Sequence, residues 1–263
     1  KILITGARGF IGKKLSDYLK RKNYSITEIS RETIINGKKL NSLNSIKDWE
    51  HLSNDVDIVI HTAAYVHKKS FIRKNTKKLN IENNYYLSKN IALTSSRKGI
   101  KHFIFFSSAG VHGDDLTNKI IHEKSKCIPY SYYTQAKLDS EKEIIEICNN
   151  SKMKYTILRP PLIYGQDAPG NFKTLVSILK YNLPLPLANF NQNKRSYLSI
   201  EYLLDIVGKI IENKLSYNNI FLVCDDINYS TTEFIKLIGE KSNIKVTTFY
   251  FPKIILKILF FMI

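Results

Sequence analysis

Five short apolar runs, KILIT, YSITEIS, VDIVIHTAA, HFIFFSS and KYTILRP, are spread over the first 160 residues. Stretches of helical period at 11–22, about 70–98 and 133–149 separate them. Runs this short and this continuously apolar are strands buried on both faces. Strands that alternate with helices pair in parallel, because each crossover returns the chain to the same end of the sheet. The pattern therefore predicts an α/β chain with a doubly wound parallel sheet. With 43% hydrophobic residues the chain can fill such a core.

After Pro160 the rhythm changes. PPLIYGQDAPG is rich in turn formers, a helix is expected over 171–182, and NLPLPLANFNQNKR reads as loop. RSYLSI is a short extended run, 200–213 is helical, and NIFLVCD is a further strand. STTEFIKLIGE opens a helix with Glu233 placed to complete a capping box. The division expected is 1–160 as a dinucleotide-binding domain and 161–263 as a smaller, partly interleaved substrate lobe.

Cys127, Cys148 and Cys224 are scattered, and the six histidines show no metal-ligand spacing. This argues against a disulfide framework or a zinc cluster and suits a reducing cytoplasm. The net charge of +17 would attract phosphate-bearing ligands, nucleic acid or anionic lipid. Lys and Arg form no long run, so the charge reads as composition. The apolar end YFPKIILKILFFMI carries Lys253 and Lys257 and is too short to span a bilayer. It reads first as a core helix, second as an interfacial one. No signal peptide and no membrane association are expected.

The turn after the first strand, TGARGFIG, spaces Gly6, Gly9 and Gly12 three apart. Gly6 permits the bend, Gly9 lets backbone approach a diphosphate, and Gly12 lets the helix pack on the strand. The amino end of that helix offers N–H groups and a positive dipole to phosphate. A plain strand-to-helix turn is the competing reading. The second strand ends Ile29-Ser30-Arg31, where a ribose-reading acid would favour NAD. Arg31 would instead suit the 2′-phosphate of NADP.

Tyr133 and Lys137 stand four apart in SYYTQAKLDSE and share a helix face. An ammonium beside a phenol is expected to lower its pKa from about 10, so that Tyr133 can exchange a proton near neutrality. Ser107 and Ser108 follow the fourth strand at its carboxyl end, where open α/β sheets bind ligands.

TGARGFIG, HTAA, SSAGVHG and Y-T-Q-A-K, in this order, resemble the extended short-chain dehydrogenase/reductase superfamily. LRPPLIYG, GNF, LPLPL, KRSYLSI and FLVCDD are similar to its nucleotide-sugar branch, the UDP-glucose/UDP-N-acetylglucosamine 4-epimerase-like group of the NAD-dependent epimerase/dehydratase family. The resemblance runs from residue 1 to about 240 and implies a Rossmann-type fold. It implies Tyr133 as acid/base, Lys137 as its tuner and ribose anchor, and Ser108, rather than Ser107, as the residue orienting the sugar hydroxyl. Cofactor contacts would come from Gly6, Gly9, Phe10, Ile11, Gly12, Arg31, Ala63, Ala64, Asn80 and Pro160. Substrate contacts would come from Ser108, Asn171, Leu187 and Arg195, with Arg195 on the diphosphate.

The implied activity is an NAD-dependent 4-epimerase of a UDP-hexose in surface-polysaccharide synthesis, with NADP as the alternative cofactor. The runner-up is an NADPH-dependent reductase of a UDP-4-keto-6-deoxy sugar. A nucleotide or RNA binder without catalysis is a third reading. A lipid-linked diphosphosugar as substrate is a fourth. A cytoplasmic homodimer, acting on a small nucleotide sugar and not on nucleic acid, completes the expectation. Three departures stand out: His112 takes the place of a usual Tyr or Asn, the ribose-reading acid is missing, and the family usually continues past the position of Ile263, so part of the substrate lobe is expected to be missing.

Overall fold

A computed structural model of the protein describes residues 1–30, 34–35, 38–39, 55–65, 76–113 and 120–252. Arg31 and the apolar end from Lys253 onward lie outside these residues. The chain forms two compact units. One comprises the described residues of Lys1–Pro161 and Ile200–Val223, the other those of Leu162–Ser199 and Cys224–Ile263. The division expected from sequence is 1–160 and a partly interleaved lobe over 161–263; residues 200–223 belong to the first unit.

The first unit is built on β1 (Ile2–Thr5), β2 (Ile26–Ile29), β5 (Ile58–His61), β6 (His102–Phe106), β7 (Lys154–Arg159) and β10 (Asn219–Leu222). Between them a short antiparallel ladder joins β3 (Ile34–Ile35) and β4 (Lys38–Lys39). Among the described residues the sheet order is β10-β7-β6-β5-β1-β2, and every pair in it is parallel. The chain runs outward from β1 to β2, then crosses back to lay β5 on the other side of β1. That reversal opens a crevice at the carboxyl ends of β1 and β5.

Both faces of the inner strands β1, β5, β6 and β7 are largely buried, which is why they read as continuous apolar runs. Leu3, Val59, Phe103, Phe105 and Ile157 pack on one face against Ile91 and Ile144. Those two belong to α3 (Leu87–Arg97) and α4 (Tyr132–Asn149). The expected helix before β6 is interrupted: α2 (Thr76–Asn80) passes through a π turn, Ile81–Tyr86, before α3 begins. On the outside, α1 (Phe10–Arg21) packs on α6 (Ile200–Glu212), where Tyr18 donates to Asp205 at 2.9 Å.

In the second unit β8 (Leu162–Tyr164) pairs in parallel with β9 (Tyr197–Ser199). They pack with α5 (Asn171–Leu179) and α7 (Thr231–Lys241) around an aromatic cluster. Tyr197 stacks on Phe234 at 3.7 Å, and Tyr164 meets Phe234 edge-on at 5.2 Å. Ser230 and Glu233 form the capping box expected for α7. The Tyr164 hydroxyl donates to Asp225 at 2.8 Å, and Asp225 also accepts from the Ser199 amide at 3.0 Å. PPLIYG, read as turn, thus contributes a strand: Asp225 and the β9 backbone satisfy it.

Candidate active site

The glycine turn fills the space between β1 and α1 without slack. Gly6 has φ +72°, and a Cβ there would lie 2.7 Å from the Ala63 nitrogen. A Cβ on Gly12 would lie 2.3 Å from the Gly6 carbonyl oxygen, so the helix cannot start this close with any other residue. The Gly9 N–H donates to Gly6 O at 2.8 Å, and Gly9 caps α1 with no side-chain bond. Phe10 and Ile11 head the helix half-buried, and no acid lies in its first turn. An amino terminus left without a capping side chain, next to backbone this closely approached, fits the diphosphate of a dinucleotide.

The loop after β5 closes the other side. Ala63 is buried and Ala64 half-buried. The Tyr65 amide donates to Asn84 Oδ1 at 2.7 Å, while Asn84 Nδ2 donates to Tyr65 O at 3.2 Å and Asn80 Oδ1 at 2.9 Å. Asn80 therefore reaches this loop through Asn84, a residue the sequence reading missed because the π turn brings it inward.

Beneath the loop runs a buried chain of polar groups. Ser88 Oγ donates to Asn84 O at 2.6 Å, so it accepts from His61 Nε2 at 2.9 Å. His61 Nδ1 then accepts from Thr5 Oγ1 at 2.6 Å. The imidazole is held neutral, with its pKa far below the usual value, by burial and by the charge of Lys137.

The third segment follows β6. Ser107 is buried, with its amide on Leu158 O at 2.8 Å. Ser108 is half-buried and caps the short 3-10 turn Ala109–His112, accepting from the Gly110 amide at 3.1 Å. Pro160 is buried beside it, its carbonyl accepting from the Ala109 amide at 2.9 Å.

Ser131 caps α4 in a box with Thr134, which fixes the helix start at Tyr132 and puts Tyr133 in the first turn. One turn on, Lys137 is 1% exposed. Its Nζ donates to Phe106 O at 2.7 Å, lies 4.6 Å from the Phe105 ring centre and 6.0 Å from that of Tyr133. Burial pulls the Lys137 pKa down to about 7 against the raising effect of Glu141.

The expected lowering of the Tyr133 phenol is not found. Its pKa is pushed up to about 12, by burial first and by Tyr130 second. The Lys137 ammonium points to the Phe106 carbonyl instead, and enclosure costs a phenolate more than a cation at that distance returns.

Two further side chains join this site. The Arg159 guanidinium makes a forked pair with Glu141, Nε to Oε1 at 3.0 Å and Nη2 to Oε2 at 2.6 Å, and Ser107 Oγ donates to the same carboxylate. Both were legible in principle: Glu141 stands four residues after Lys137, and Arg159 precedes Pro160. His112, noted as a departure, lies 3.0 Å from Arg159 Nη1.

The first unit thus carries Gly6, Gly9, Gly12, Ala63, Ser108, Tyr133, Lys137 and Pro160 at the carboxyl end of its sheet. Phe10, Ile11, Ala64 and Asn80 belong to the same unit, and the substrate candidates Asn171, Leu187 and Arg195 to the second. Asn171 is the first residue of α5. Leu187 is half-buried, and its carbonyl accepts from the Thr232 hydroxyl. Arg195 is exposed, its backbone bridged to Tyr229 at 2.9 and 3.1 Å. Among the described residues no group of three or more His, Cys, Asp or Glu side chains could hold a metal ion, and no helix is long and apolar enough to cross a membrane.

Residues 2–224 match the model of the NAD dependent epimerase/dehydratase family. A UDP-glucose 4-epimerase of Vibrio cholerae is 30% identical over 241 residues, which is 89% of this chain and 74% of that one. In fold the chain is similar to UDP-glucuronic acid 4-epimerase of Bacillus cereus in complex with NAD, with TM-score 0.79 and 21% identity over 95% of this chain and 86% of the other. It is also similar to dTDP-4-dehydrorhamnose reductase of Bacillus anthracis in complex with NADP, with TM-score 0.76 and 22% identity over 95% and 84%.

Proposed function

From the premise that this chain belongs to the NAD dependent epimerase/dehydratase family, we propose that it is a 4-epimerase of a UDP-hexose. The observation that carries the reading is that Ser108 follows the carboxyl end of β6, where Lys137 Nζ, 6.0 Å from the Tyr133 ring centre, bonds the Phe106 carbonyl, in the same parallel sheet whose first strand opens into the glycine turn.

In this reading Gly9 and the amides of Phe10 and Ile11 would hold the diphosphate of the dinucleotide at the amino end of α1, and Ala63, Ala64 and Pro160 would line its site. When bound, NAD supplies a hydride acceptor at the sugar C4 and a positive ring that favours ionised tyrosine. Ser108, half-buried at the head of its 3-10 turn, donates its hydroxyl proton to the sugar O4 and fixes that oxygen. Ionised Tyr133 takes the O4 proton as hydride leaves C4, and returns it as hydride comes back to C4 from the other face of the 4-keto sugar. Lys137 stands by as the cation whose charge makes that exchange easier, steadied by Phe106 O. In the second unit Arg195 carries an exposed guanidinium of the kind that would pair with a diphosphate, and Asn171 and Leu187 are the further substrate candidates.

The test is incubation with UDP-glucose or UDP-N-acetylglucosamine and catalytic NAD, without added reductant. The C4 epimer is expected to accumulate to an equilibrium ratio. If NADPH is instead consumed with a UDP-4-keto-6-deoxy sugar and no epimer forms, the reading is wrong and the protein is a reductase.

A further inference from the structure

We propose that Glu141 and Arg159 are positioning residues: they clasp the strand-end segment carrying Ser108 to the helix carrying Tyr133 and Lys137. The proposal rests on the epimerase reading for what is being positioned, but not for the clasp itself.

Each candidate catalytic side chain comes from a different element. Ser108 follows β6, Tyr133 and Lys137 sit on α4, and Pro160 follows β7. The three meet at one buried ion pair. Glu141 and Arg159 have side chains only 2% and 5% exposed, and their bond is a two-point fork. Ser107, the residue before Ser108, donates its hydroxyl to Glu141. Arg159, the residue before Pro160, donates from Nη1 to the Glu123 carbonyl at 3.2 Å and to His112 Nε2 at 3.0 Å. His112 lies at the far end of the Ser108 turn, and its other nitrogen faces the Lys126 carbonyl at 3.4 Å. That contact puts the ring proton on Nδ1 and leaves Nε2 free to accept from arginine. The clasp therefore grips the Ser108 turn at both ends.

A second observation gives the carboxylate another task. Among the described residues Glu141 is the one buried acid; it forks onto Arg159, and its charge raises the pKa of Lys137 one turn before it on the same helix. The groups around Lys137 are Tyr133 and Glu141 from its own helix, His61 from β5, and the Phe105 ring and Phe106 carbonyl of β6. His61 is neutral, so among these groups the Glu141 carboxylate is the one that raises the Lys137 pKa against burial.

Two variants test this. Ser107→Ala removes one hydroxyl and leaves the ion pair in place. Glu141→Gln with Arg159→Met removes both charges, a replacement buried pairs often tolerate without unfolding. The first readout needs no substrate. The amides of Ser107, Ala109, Val111 and Gly113 are all hydrogen-bonded to backbone, so their hydrogen exchange reports how firmly the turn is held. Exchange over 107–113 is expected to rise about tenfold in Ser107→Ala and further in the double variant, with β1 and β5 unchanged.

In turnover, kcat should fall about threefold to tenfold for Ser107→Ala and about a hundredfold for the double variant, with KM and NAD affinity within about twofold. The alkaline limb of the double variant's kcat profile should move to lower pH. Exchange and kcat both as in the wild type overturn the clasp. If the wild type turns over no UDP-hexose, the epimerase reading fails and the exchange measurement alone decides. If the double variant does not fold, Ser107→Ala decides by both readouts.

Discussion

Lys137 and Arg195 are both cations assigned to ligand contact, and the protein treats them in opposite ways. Lys137 is 1% exposed in the first unit and pinned by its own side chain to the Phe106 carbonyl. Arg195 stands exposed in the second unit and is located only through its backbone bridge to Tyr229. The same contrast holds more widely. In the first unit Thr5, His61, Ser88, Ser107, Glu141 and Arg159 are tied side chain to side chain below the surface. In the second the buried cluster is apolar, Tyr197 and Phe234 among Leu179, Ile235 and Ile238, and the candidate ligand residues ride on loops and helix starts. Groups that transfer protons have to be held within a fraction of an ångström, whereas groups that select a substrate can be exchanged without disturbing what lies beneath.

That contrast can be broken most decisively at Tyr133. Tyr133→Phe should cost about a hundredfold to ten-thousandfold in kcat with NAD affinity preserved. A variant turning over within threefold of the wild type would remove the chemistry from the first unit. Lys137→Met should also abolish turnover, yet leave the protein no less stable at pH 7. The lysine is held at about 7 against an ordinary value of 10.5, so between those pH values the unfolded chain binds a proton the folded chain has released. Wild-type stability is therefore penalised in full below pH 7 and recovers as pH rises toward 10.5, by about 1.4 kcal/mol per unit, while the methionine variant lacks this dependence. Thermal melts of both proteins across pH 6–10 would show it. A variant less stable than wild type at pH 7 would mean that the Phe106 bond outweighs the burial of charge. The smallest effect is expected in the second unit: Arg195→Ala should raise KM about tenfold or somewhat more, with kcat and NAD affinity unchanged. A loss confined to kcat would put Arg195 among the reacting groups and end the contrast.

Much of the first unit was legible because its signals are periodic or short-range. Continuous apolar strands gave the parallel sheet, the glycine spacing gave the turn between β1 and α1, and Tyr133 and Lys137 announced themselves one helical turn apart. The capping box at Ser131 and Thr134 explains why that helix starts where the tyrosine needs it. Glu141, Arg159 and His61 were less visible because their partners are distant in sequence: Glu141 meets residues 34 positions before and 18 after it. Tyr133's raised pKa was misjudged for a related reason, since sequence shows the neighbouring cation but not the depth of enclosure. In the second unit β8 hid inside a turn-rich stretch, its partner strand lying more than thirty residues away.

The π turn at Ile81–Tyr86 has a consequence for how this protein can vary. One surplus residue sits inside an otherwise regular helix, and the wider turn absorbs it, so the segments before and after keep the phase of an α-helix one residue shorter. Deleting one residue there would restore the α period and leave Asn80 and Leu87–Arg97 on the faces they now hold. What it would remove is the wide turn itself, where Asn84 ties Tyr65 and Asn80 together. The loop after β5 thus depends on a residue that the helix could shed without losing its packing, and a length change that looks harmless on paper would be read there as lost hydrogen bonds.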